Sequence, residues 1–272
     1  MLATVVSIIF AGCVAGALGA LLGIGGGVFL VPFLNLVVGL DFKTASAISL
    51  VTVIATSSVT SATPGRLELV NLRLGMVLEI FTTSGGLIGL VLVYRAADPT
   101  LQRLFAVVMA VVAIVMLSRL HRRNIHRDSS IDTGVLGGRY HDPETGAEVA
   151  YRLRRWPVAF GISLLAGIVS MLGIGGGVLK VPVLNAWCGV PMRIAAATSA
   201  LMIAATAVVG SISNFARGDI VPHLAASAVL GVLAGSKLGF AMAARSNARA
   251  LKILMACVLL AGAIVYVWVA GR

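Results

Sequence analysis

Charge is the scarcest property of this sequence. Asp, Glu, Lys and Arg together make up 11% of the 272 residues, whereas hydrophobic side chains make up 59%. A soluble domain carries roughly a quarter charged residues, because it needs them to cover a water-facing surface. The shortage excludes an ordinary soluble fold and predicts that lipid surrounds most of the chain.

Acidic residues are scarcer than basic ones, with 10 Asp and Glu against 21 Lys and Arg and a formal net charge of +11. The basic residues lie between apolar runs, and the chain lacks the basic and aromatic stripe with which a protein binds nucleic acid. Basic segments between apolar runs are typical of cytoplasmic loops that face anionic lipid. We therefore expect membrane lipid as a partner and no nucleic acid.

Cysteine and histidine are also few, at three and four residues. No two cysteines form a CxxC pair, and no histidine has metal-ligand spacing with another histidine or with a cysteine. The apolar runs lack the Ser–His pairs and the clusters of His, Asp and Glu that an embedded enzyme would need. The sequence predicts no metal site, no cofactor and no enzymatic activity.

The first 40 residues carry no charge. At about 1.5 Å per residue, one helix of this length would be far longer than the ~30 Å hydrocarbon core of a bilayer. Segment 23–27 contains four glycines in five residues, which destabilise a helix and permit positive φ. We predict a helix over 3–22, a break at 23–27 and a shorter helix over 28–38, with no cleaved signal peptide because a basic start is absent.

The remaining apolar runs predict the other membrane spans. In the first half these are 44–62, 72–94 and 101–118. Segment 119–155 holds eight arginines and five acidic residues, and predicts a polar cytoplasmic loop that is either disordered or a small hairpin. In the second half we predict a helix over 157–172, a break at 173–177, a helix over 178–188, and spans at 194–214, 221–243 and 252–270. The predicted domains are a first membrane repeat at 1–118, the loop at 119–155 and a second membrane repeat at 156–272.

The second half repeats the first at a constant offset of 150 residues. The sequence LGIGGGVFLVPFLN begins at Leu22 and LGIGGGVLKVPVLN begins at Leu172, with 11 of 14 positions identical. The same offset pairs Ser49 with Ser199. A register kept over this length indicates an internal duplication.

The distribution of positive charge favours inverted halves over parallel ones. If each glycine-broken hairpin leaves and returns to one side, the basic segments share the cytoplasmic face, as the positive-inside rule requires. These are the loop 119–155, Arg66, Arg73, Arg193, Arg245, Arg249 and Lys252. Both termini then lie outside, while Arg95, Arg103 and Arg217 fall outside and weaken the signal. We predict an all-α polytopic membrane protein of two inverted repeats, each a glycine-broken helix hairpin plus three transmembrane helices; whether the hairpins cross fully or re-enter is left open.

The repeated break is the strongest candidate for a binding site. Unwound backbone in hydrocarbon is tolerated only where it lines a cavity or is buried in protein. A break that opens a short helix also leaves N–H groups at a positive dipole end, where an anion can bind. The alternative is close helix packing by small residues. We expect an anion cradle formed by Gly25, Gly26, Gly27, Gly175, Gly176 and Gly177.

Uncharged polar side chains near the breaks are the next candidates for substrate contacts. Hydroxyls bind oxyanions well, although they also form ordinary hydrogen bonds between membrane helices. The candidate hydroxyls are those of Ser49, Thr52, Thr198 and Ser199. Asn35 and Asn185, which end the repeated motif, are candidates either as ligands or as helix caps.

Three charged side chains lie inside predicted spans, where charge is costly and is functional by default. They are Glu79, Lys180 and Lys237, and their counterparts at the offset of 150 are Val229, Leu30 and Leu87. We expect the two lysines to bind an anion, the alternative being that they snorkel towards the membrane surface. Glu79 either takes up a proton for coupling or pairs with a lysine.

The paired glycine motif resembles that of a known protein family. The doubled G-I-G-G-G…P…L, followed by Ala45-x-x-x-Ser49-Leu50 and by Ala195-x-x-x-Ser199-Ala200, resembles the TauE/SafE-type sulfite exporter family, also called TSUP permeases. The resemblance covers nearly the whole chain apart from 119–155. It implies movement of a small sulfur-containing or organic anion, such as sulfite or a sulfonate, across the inner membrane.

The sequence constrains the transport mechanism less than it constrains the family. The chain has no Walker A segment, which favours secondary transport around the paired breaks. The alternative is a passive channel that uses the breaks as a filter. Direction of transport does not follow, and apolar surface facing lipid does not decide whether the protein forms an oligomer.

Overall fold

The structure is a computed structural model that describes residues 2–62, 69–118, 133–141, 146, 148–245 and 248–270. Within these ranges the chain forms ten helices and one β-hairpin. Arg66 and most of the predicted polar loop lie outside the described residues, as do the side chains of Arg245, Arg249 and Lys252.

The helices begin and end close to the predicted bounds in both halves. The first half contains α1 (Leu2–Leu22), α2 (Gly27–Pro32, continued by a π-helical turn at Phe33–Val37), α3 (Phe42–Ala62), α4 (Leu72–Arg95) and α5 (Asp98–Ser118). The second half contains α6 (Trp156–Val169, continued by a π-helical turn at Ser170–Ile174), α7 (Gly177–Ala186), α8 (Met192–Arg217), α9 (Pro222–Arg245) and α10 (Ala248–Ala270). Helix α8 runs three residues past its predicted end and stops at Gly218, whose φ of 81° suits the left-handed position that follows a helix.

Five of the described helices are long and apolar enough to cross a membrane. They are Leu2–Leu22, Phe42–Val59, Leu72–Arg95, Trp156–Ile174 and Met192–Arg217. Helices α5, α9 and α10 have 21, 24 and 23 residues, and their assignment as spans stays a prediction from the sequence.

Each glycine-rich segment breaks its helix where the sequence predicts. Gly25 and Gly26 have φ of 84° and 80°, and Gly173 and Gly175 have φ of 81° and 77°. Residues with a side chain rarely adopt this left-handed backbone conformation, which explains why glycines occupy the breaks. A Cβ atom on Gly26 would lie 2.7 Å from the carbonyl oxygen of Ala15, so the chain folds back onto α1 at this point.

The two halves interlock through four helix pairs that follow the symmetry of the repeat. Helix α1 packs on α9 and α6 packs on α4, while α3 packs on α8 and α5 packs on α10. The first two pairs approach closely at glycines: Gly235 contacts the backbone of Cys13, and Gly85 contacts the backbone of Leu164. Every one of these four pairs joins one half to the other, so neither half forms its core alone.

Helices α3 and α8 run antiparallel. The hydroxyl of Ser57 donates a hydrogen bond of 2.6 Å to the carbonyl oxygen of Ala200. Leu50, earlier on α3, lies against Gly210, later on α8. Residue numbers therefore rise along one helix as they fall along the other. These two helices occupy the same position in the sequence repeat.

A β-hairpin is the only β-structure among the described residues. Strands β1 (Gly138–His141) and β2 (Glu148–Tyr151) pair antiparallel, with Gly138 opposite Tyr151. Asn71 anchors the hairpin at the start of α4, because its Nδ2 donates to the Leu136 carbonyl oxygen at 3.1 Å and to the Tyr151 hydroxyl at 2.9 Å. Of the two structures that the sequence leaves open for segment 119–155, the described part is the hairpin.

The segment after α7 contacts the residues that follow strand β2. The N–H of Arg154 donates to the carbonyl oxygen of Cys188 at 2.8 Å. Burial raises the pKa of the Cys188 thiol to about 11 and also raises the pKa of Tyr151. The hairpin therefore contacts the first half of the helix bundle through Asn71, and the segment that follows it contacts the second half through Cys188.

Candidate functional site

The two glycine breaks meet inside the helix bundle. Gly27 of the first break contacts the carbonyl oxygen of Gly173 in the second, so closely that a Cβ atom would overlap it. Gly177 makes the equivalent approach to Gly23, where a Cβ atom would lie 2.6 Å from the carbonyl oxygen. We call the two segments, 23–27 and 173–177, the glycine crossing. The breaks therefore need glycine for two reasons. Their backbone has positive φ, and it packs directly against the backbone of the other break.

Six amide groups of the glycine crossing lack acceptors in the described part of the protein. The six candidate glycines, Gly25, Gly26, Gly27, Gly175, Gly176 and Gly177, are all buried. None of their N–H groups donates a hydrogen bond to a carbonyl or side chain within the described residues. Buried N–H groups are almost always paired with protein, water or a ligand. Several donors at the starts of α2 and α7 can together bind an anion.

Two serines at equivalent positions border the glycine crossing and differ in their bonding. The hydroxyl of Ser49 donates to the carbonyl oxygen of Gly173 at 2.7 Å. Ser199 is fully buried, yet its hydroxyl has no hydrogen-bond partner in the described part of the chain. A Cβ atom on Gly177 would lie 3.1 Å from that hydroxyl. Ser199 can therefore donate to a ligand without breaking an existing bond.

The other uncharged candidates are engaged in bonds that hold the fold. Thr52 donates to the carbonyl oxygen of Ser49 at 2.7 Å, and Thr198 accepts the N–H of Asn71 at 3.0 Å. The amide of Asn35 donates to the Leu40 carbonyl oxygen at 2.8 Å. The amide of Asn185 makes the equivalent bond to Val190 at 3.0 Å. The two asparagines close the ends of the helices that follow the breaks, which matches the capping alternative.

An ion pair joins the two halves beside the second break. The ammonium nitrogen of Lys180 lies 3.2 Å from Oε2 of Glu79; the Lys180 side chain is 0% exposed and that of Glu79 is 16% exposed. The other carboxylate oxygen, Oε1, accepts hydrogen bonds from Thr206 at 2.5 Å and from Thr83 at 3.3 Å. A fully buried ammonium group does not snorkel, so Lys180 is held inside the bundle by its partner.

The ion pair of Glu79 and Lys180 lies beside the second break, and the first break has no counterpart of it. Leu30, the counterpart of Lys180, is fully buried, and Val229 stands at the counterpart of Glu79. Thr56, the counterpart of Thr206, donates to the Gly25 carbonyl oxygen at 3.4 Å. The first break therefore has an apolar flank where the second has a charged one.

Lys237 is not part of this ion pair. It lies on an exposed face of α9, next to Leu238, which is 61% exposed. This placement matches the snorkelling alternative and separates Lys237 from the two residues with which the sequence groups it.

Sequence reasoning missed that two threonines contact the Glu79 carboxylate. The offset of 150 pairs Thr206 with Thr56 and makes it a candidate hydroxyl, but nothing in that match points to a carboxylate. Thr83 carries no signal beyond its position four residues after Glu79, which places both side chains on one face of α4. Asn71, which caps α4 and contacts the hairpin, carries no repeat signal either.

Apolar helices of membrane-spanning length, broken by paired glycine segments beside a buried ion pair, define a multi-pass membrane protein of the transporter class. Residues 8–266 match the family described as Sulfite exporter TauE/SafE. The chain belongs to this family, as the repeated motif predicts, and the family is one of membrane transporters rather than of enzymes. A relative in Bacillus subtilis (strain 168), named "Probable membrane transporter protein YunE", is 26% identical over 263 residues, which cover 94% of each chain. No solved structure matches the chain significantly.

Proposed function

We propose that the protein is a secondary transporter that moves a small sulfur-containing or organic anion, such as sulfite or a sulfonate, across the cell inner membrane. The observation that carries the proposal is the set of unbonded N–H groups at the glycine crossing, next to the unbonded hydroxyl of Ser199. These donors suit the oxygen atoms of an oxyanion. Membership of the sulfite exporter family supports the same class of substrate.

The proposed mechanism is alternating access by inverted repeats around the glycine crossing. Antiparallel packing of α3 on α8 supports inversion, because equivalent helices of parallel repeats would run in the same direction. The proposed topology places both termini outside and segment 119–155 in the cytoplasm, in keeping with the positive-inside rule. Rocking of one repeat against the other would then open the crossing to each side in turn.

A passive channel is the second candidate, with the breaks as its filter. Close packing at the crossing favours the transporter, since Gly27 directly contacts the Gly173 carbonyl oxygen. Backbone segments in direct contact must move apart for an anion to pass, whereas a filter keeps its pore open.

The test of function is anion flux into proteoliposomes. We expect saturable uptake of sulfite, thiosulfate or methanesulfonate, and loss of uptake in Gly26→Val, whose side chain would collide with the backbone of Ala15 on α1 and displace the first break. Gly161→Ala is the matched control, because a Cβ atom at Gly161 has no neighbour within 4 Å. Uptake that never saturates would favour the channel, and normal uptake by Gly26→Val that has inserted correctly would contradict the proposed site.

Inversion has its own test, by labelling single cysteines in a cysteine-free background. Cysteines at positions 66 and 247 should react from the same side of the membrane, and a cysteine at position 97 from the other side. Opposite sides for positions 66 and 247 would exclude inverted repeats.

A further inference from the structure

We infer that an anion binds to Lys180 by displacing the carboxylate of Glu79, and that Glu79 takes up one proton as it is displaced. Anion and proton then occupy the protein together. This inference rests on the proposed function and specifies how the charged side of the same site works.

The geometry gives Lys180 a single counter-charge. Its ammonium nitrogen contacts Oε2 of Glu79 at 3.2 Å. No other acidic side chain contacts it within the described residues. The N–H of Lys180 donates to the Gly176 carbonyl oxygen at 3.2 Å, so this lysine lies on the first turn of α7. The same turn follows the open N–H groups of the second break, which would bind the anion from its other side.

Glu79 is the accessible member of the pair. Its side chain is 16% exposed, against 0% for Lys180, so a proton can reach the carboxylate while the ammonium group stays buried. Thr206 and Thr83 both contact Oε1, which leaves Oε2 facing only the lysine. Displacement by an anion would therefore free Oε2, and this is the oxygen that takes the proton.

No other charge within these helices competes for the role. The elements around Glu79 are α4 itself, α6 with its π-helical turn, α7 and α8. Apart from Glu79 itself, Lys180 is the one charged side chain that lies away from the terminal residues of these described helices. The others on them lie at helix ends: Arg73, Arg95, Arg193 and Arg217. Tyr94, the remaining titratable group, is next to the end of α4.

Charge balance explains why the proton must accompany the anion. Before binding, the carboxylate and the ammonium group sum to zero. If a monovalent anion entered and Glu79 stayed ionised, the buried site would carry one net negative charge, and an uncompensated buried charge is strongly unfavourable. With one proton on Oε2, the neutral acid, the ammonium group and the anion again sum to zero.

The same balance selects the substrate. A monovalent anion, such as a sulfonate or bisulfite, needs one proton. A divalent anion would need a second proton acceptor, and the first break offers none, because Leu30 and Val229 stand where the second half has Lys180 and Glu79. We therefore expect preference for monovalent over divalent anions.

The experiment measures proton uptake during binding of methanesulfonate, which stays monovalent from mildly acidic to mildly basic pH. Titration calorimetry of the full chain in buffers of different ionisation enthalpy gives the number of protons taken up per anion. We expect one proton per anion and an affinity that falls as the pH rises, by up to about tenfold per pH unit. The double variant Glu79→Gln with Lys180→Arg keeps a cation that cannot lose its proton, so it should bind methanesulfonate with no proton uptake and with an affinity that does not depend on pH.

Control variants separate the pair from general changes of charge. Glu148→Gln removes a carboxylate from the exposed start of β2, and Lys43→Met removes a lysine from the start of α3. Both should keep the proton uptake of the unmodified protein. Lys180→Met should lose most of its affinity for methanesulfonate at every pH.

The outcomes are distinguishable. Binding without proton uptake in the unmodified protein would overturn this inference and leave the proposed function standing, as would unchanged proton uptake in the double variant. If the double variant does not fold, the proton count of the unmodified protein decides alone. If none of methanesulfonate, sulfite and thiosulfate binds to the unmodified protein, both this inference and the proposed function fail.

Discussion

The hydroxyl of Ser49 donates a hydrogen bond of 2.7 Å to the carbonyl oxygen of Gly173, which lies 124 residues away in the other half of the chain. Ser199 occupies the equivalent position and is equally buried, but its hydroxyl has no partner in the described structure. Duplication supplied the same serine twice. One copy holds the glycine crossing together, and the other has a free hydroxyl that we propose donates to the substrate.

Alanine at these two positions should separate the roles. Ser49→Ala leaves the Gly173 carbonyl oxygen without its donor and should lower stability by about 1–3 kcal/mol, the cost of an unsatisfied buried group. Ser199→Ala removes no bond, so its stability should change by less than about 0.5 kcal/mol while anion affinity falls. Thermal unfolding in detergent and an anion-binding titration measure the two effects. Equal destabilisation by both variants would contradict the assignment.

Gly27→Ala should disrupt the crossing itself. The added Cβ atom would overlap the Gly173 carbonyl oxygen, and two backbones cannot give way as a flexible side chain can. Overpacking of this kind costs about 1–3 kcal/mol or more, and we expect transport to be lost as well. Gly161→Ala on α6 meets nothing within 4 Å and should be neutral or stabilising, by up to about 1 kcal/mol. Melting temperatures and flux of the two variants test this difference.

The ion pair should be replaceable as a unit but not one residue at a time. Breaking a buried pair costs about 3–5 kcal/mol, and Lys180→Leu should cost less than that because the Glu79 carboxylate is partly exposed. The double variant Glu79→Val with Lys180→Leu carries the residues that the other half has at these positions. We expect its stability to lie within about 1 kcal/mol of the unmodified protein or above it. A double-mutant cycle by thermal unfolding measures the coupling, and purely additive effects would show that the pair contributes none.

Two lysines that look alike in the sequence should behave differently. Lys180 is fully buried against Glu79, whereas Lys237 lies on an exposed face of α9. Lys180→Met should reduce anion flux strongly, and Lys237→Met should leave flux within about twofold, as for a surface substitution. Initial rates in proteoliposomes compare the two. A large loss of flux in Lys237→Met would restore it to the binding site.

Asn71 has two separable functions. Its Oδ1 accepts the Leu74 N–H at 3.0 Å and caps α4, and its Nδ2 donates to the Leu136 carbonyl oxygen and to Tyr151. Asn71→Asp keeps the cap but loses the donor, so it should release the β-hairpin with little effect on α4. Asn71→Ala loses both and should cost about 0.5–2 kcal/mol more. Limited proteolysis near residues 138–151 reports release of the hairpin, and equal protection in all three proteins would argue that Asn71 does not anchor it.

The fold was largely predictable because its signals are local. Long charge-free runs require lipid, and segments 23–27 and 173–177 break helices wherever they are placed, since four glycines in five residues favour no helix. Hydrophobic length therefore located each helix to within a few residues. The hairpin at 138–151 was predicted only as one of two alternatives, because its strands are short and depend on Asn71, far away in the sequence, for their contacts.

The sequence by itself determined the class of protein, the repeat, the two breaks and the three unusual charges, because composition and spacing along one chain set these features. Only the tertiary structure decided how the halves use them. Glu79 and Lys180 are 101 residues apart, and Lys237 lies on an exposed face of its helix whereas Lys180 is buried. Likewise, only packing between the halves brings Ser49 to Gly173 and leaves Ser199 without a partner. Such contacts depend on which helix faces meet. The repeat pattern does not predict them, because the pattern is the same in both halves and the contacts differ.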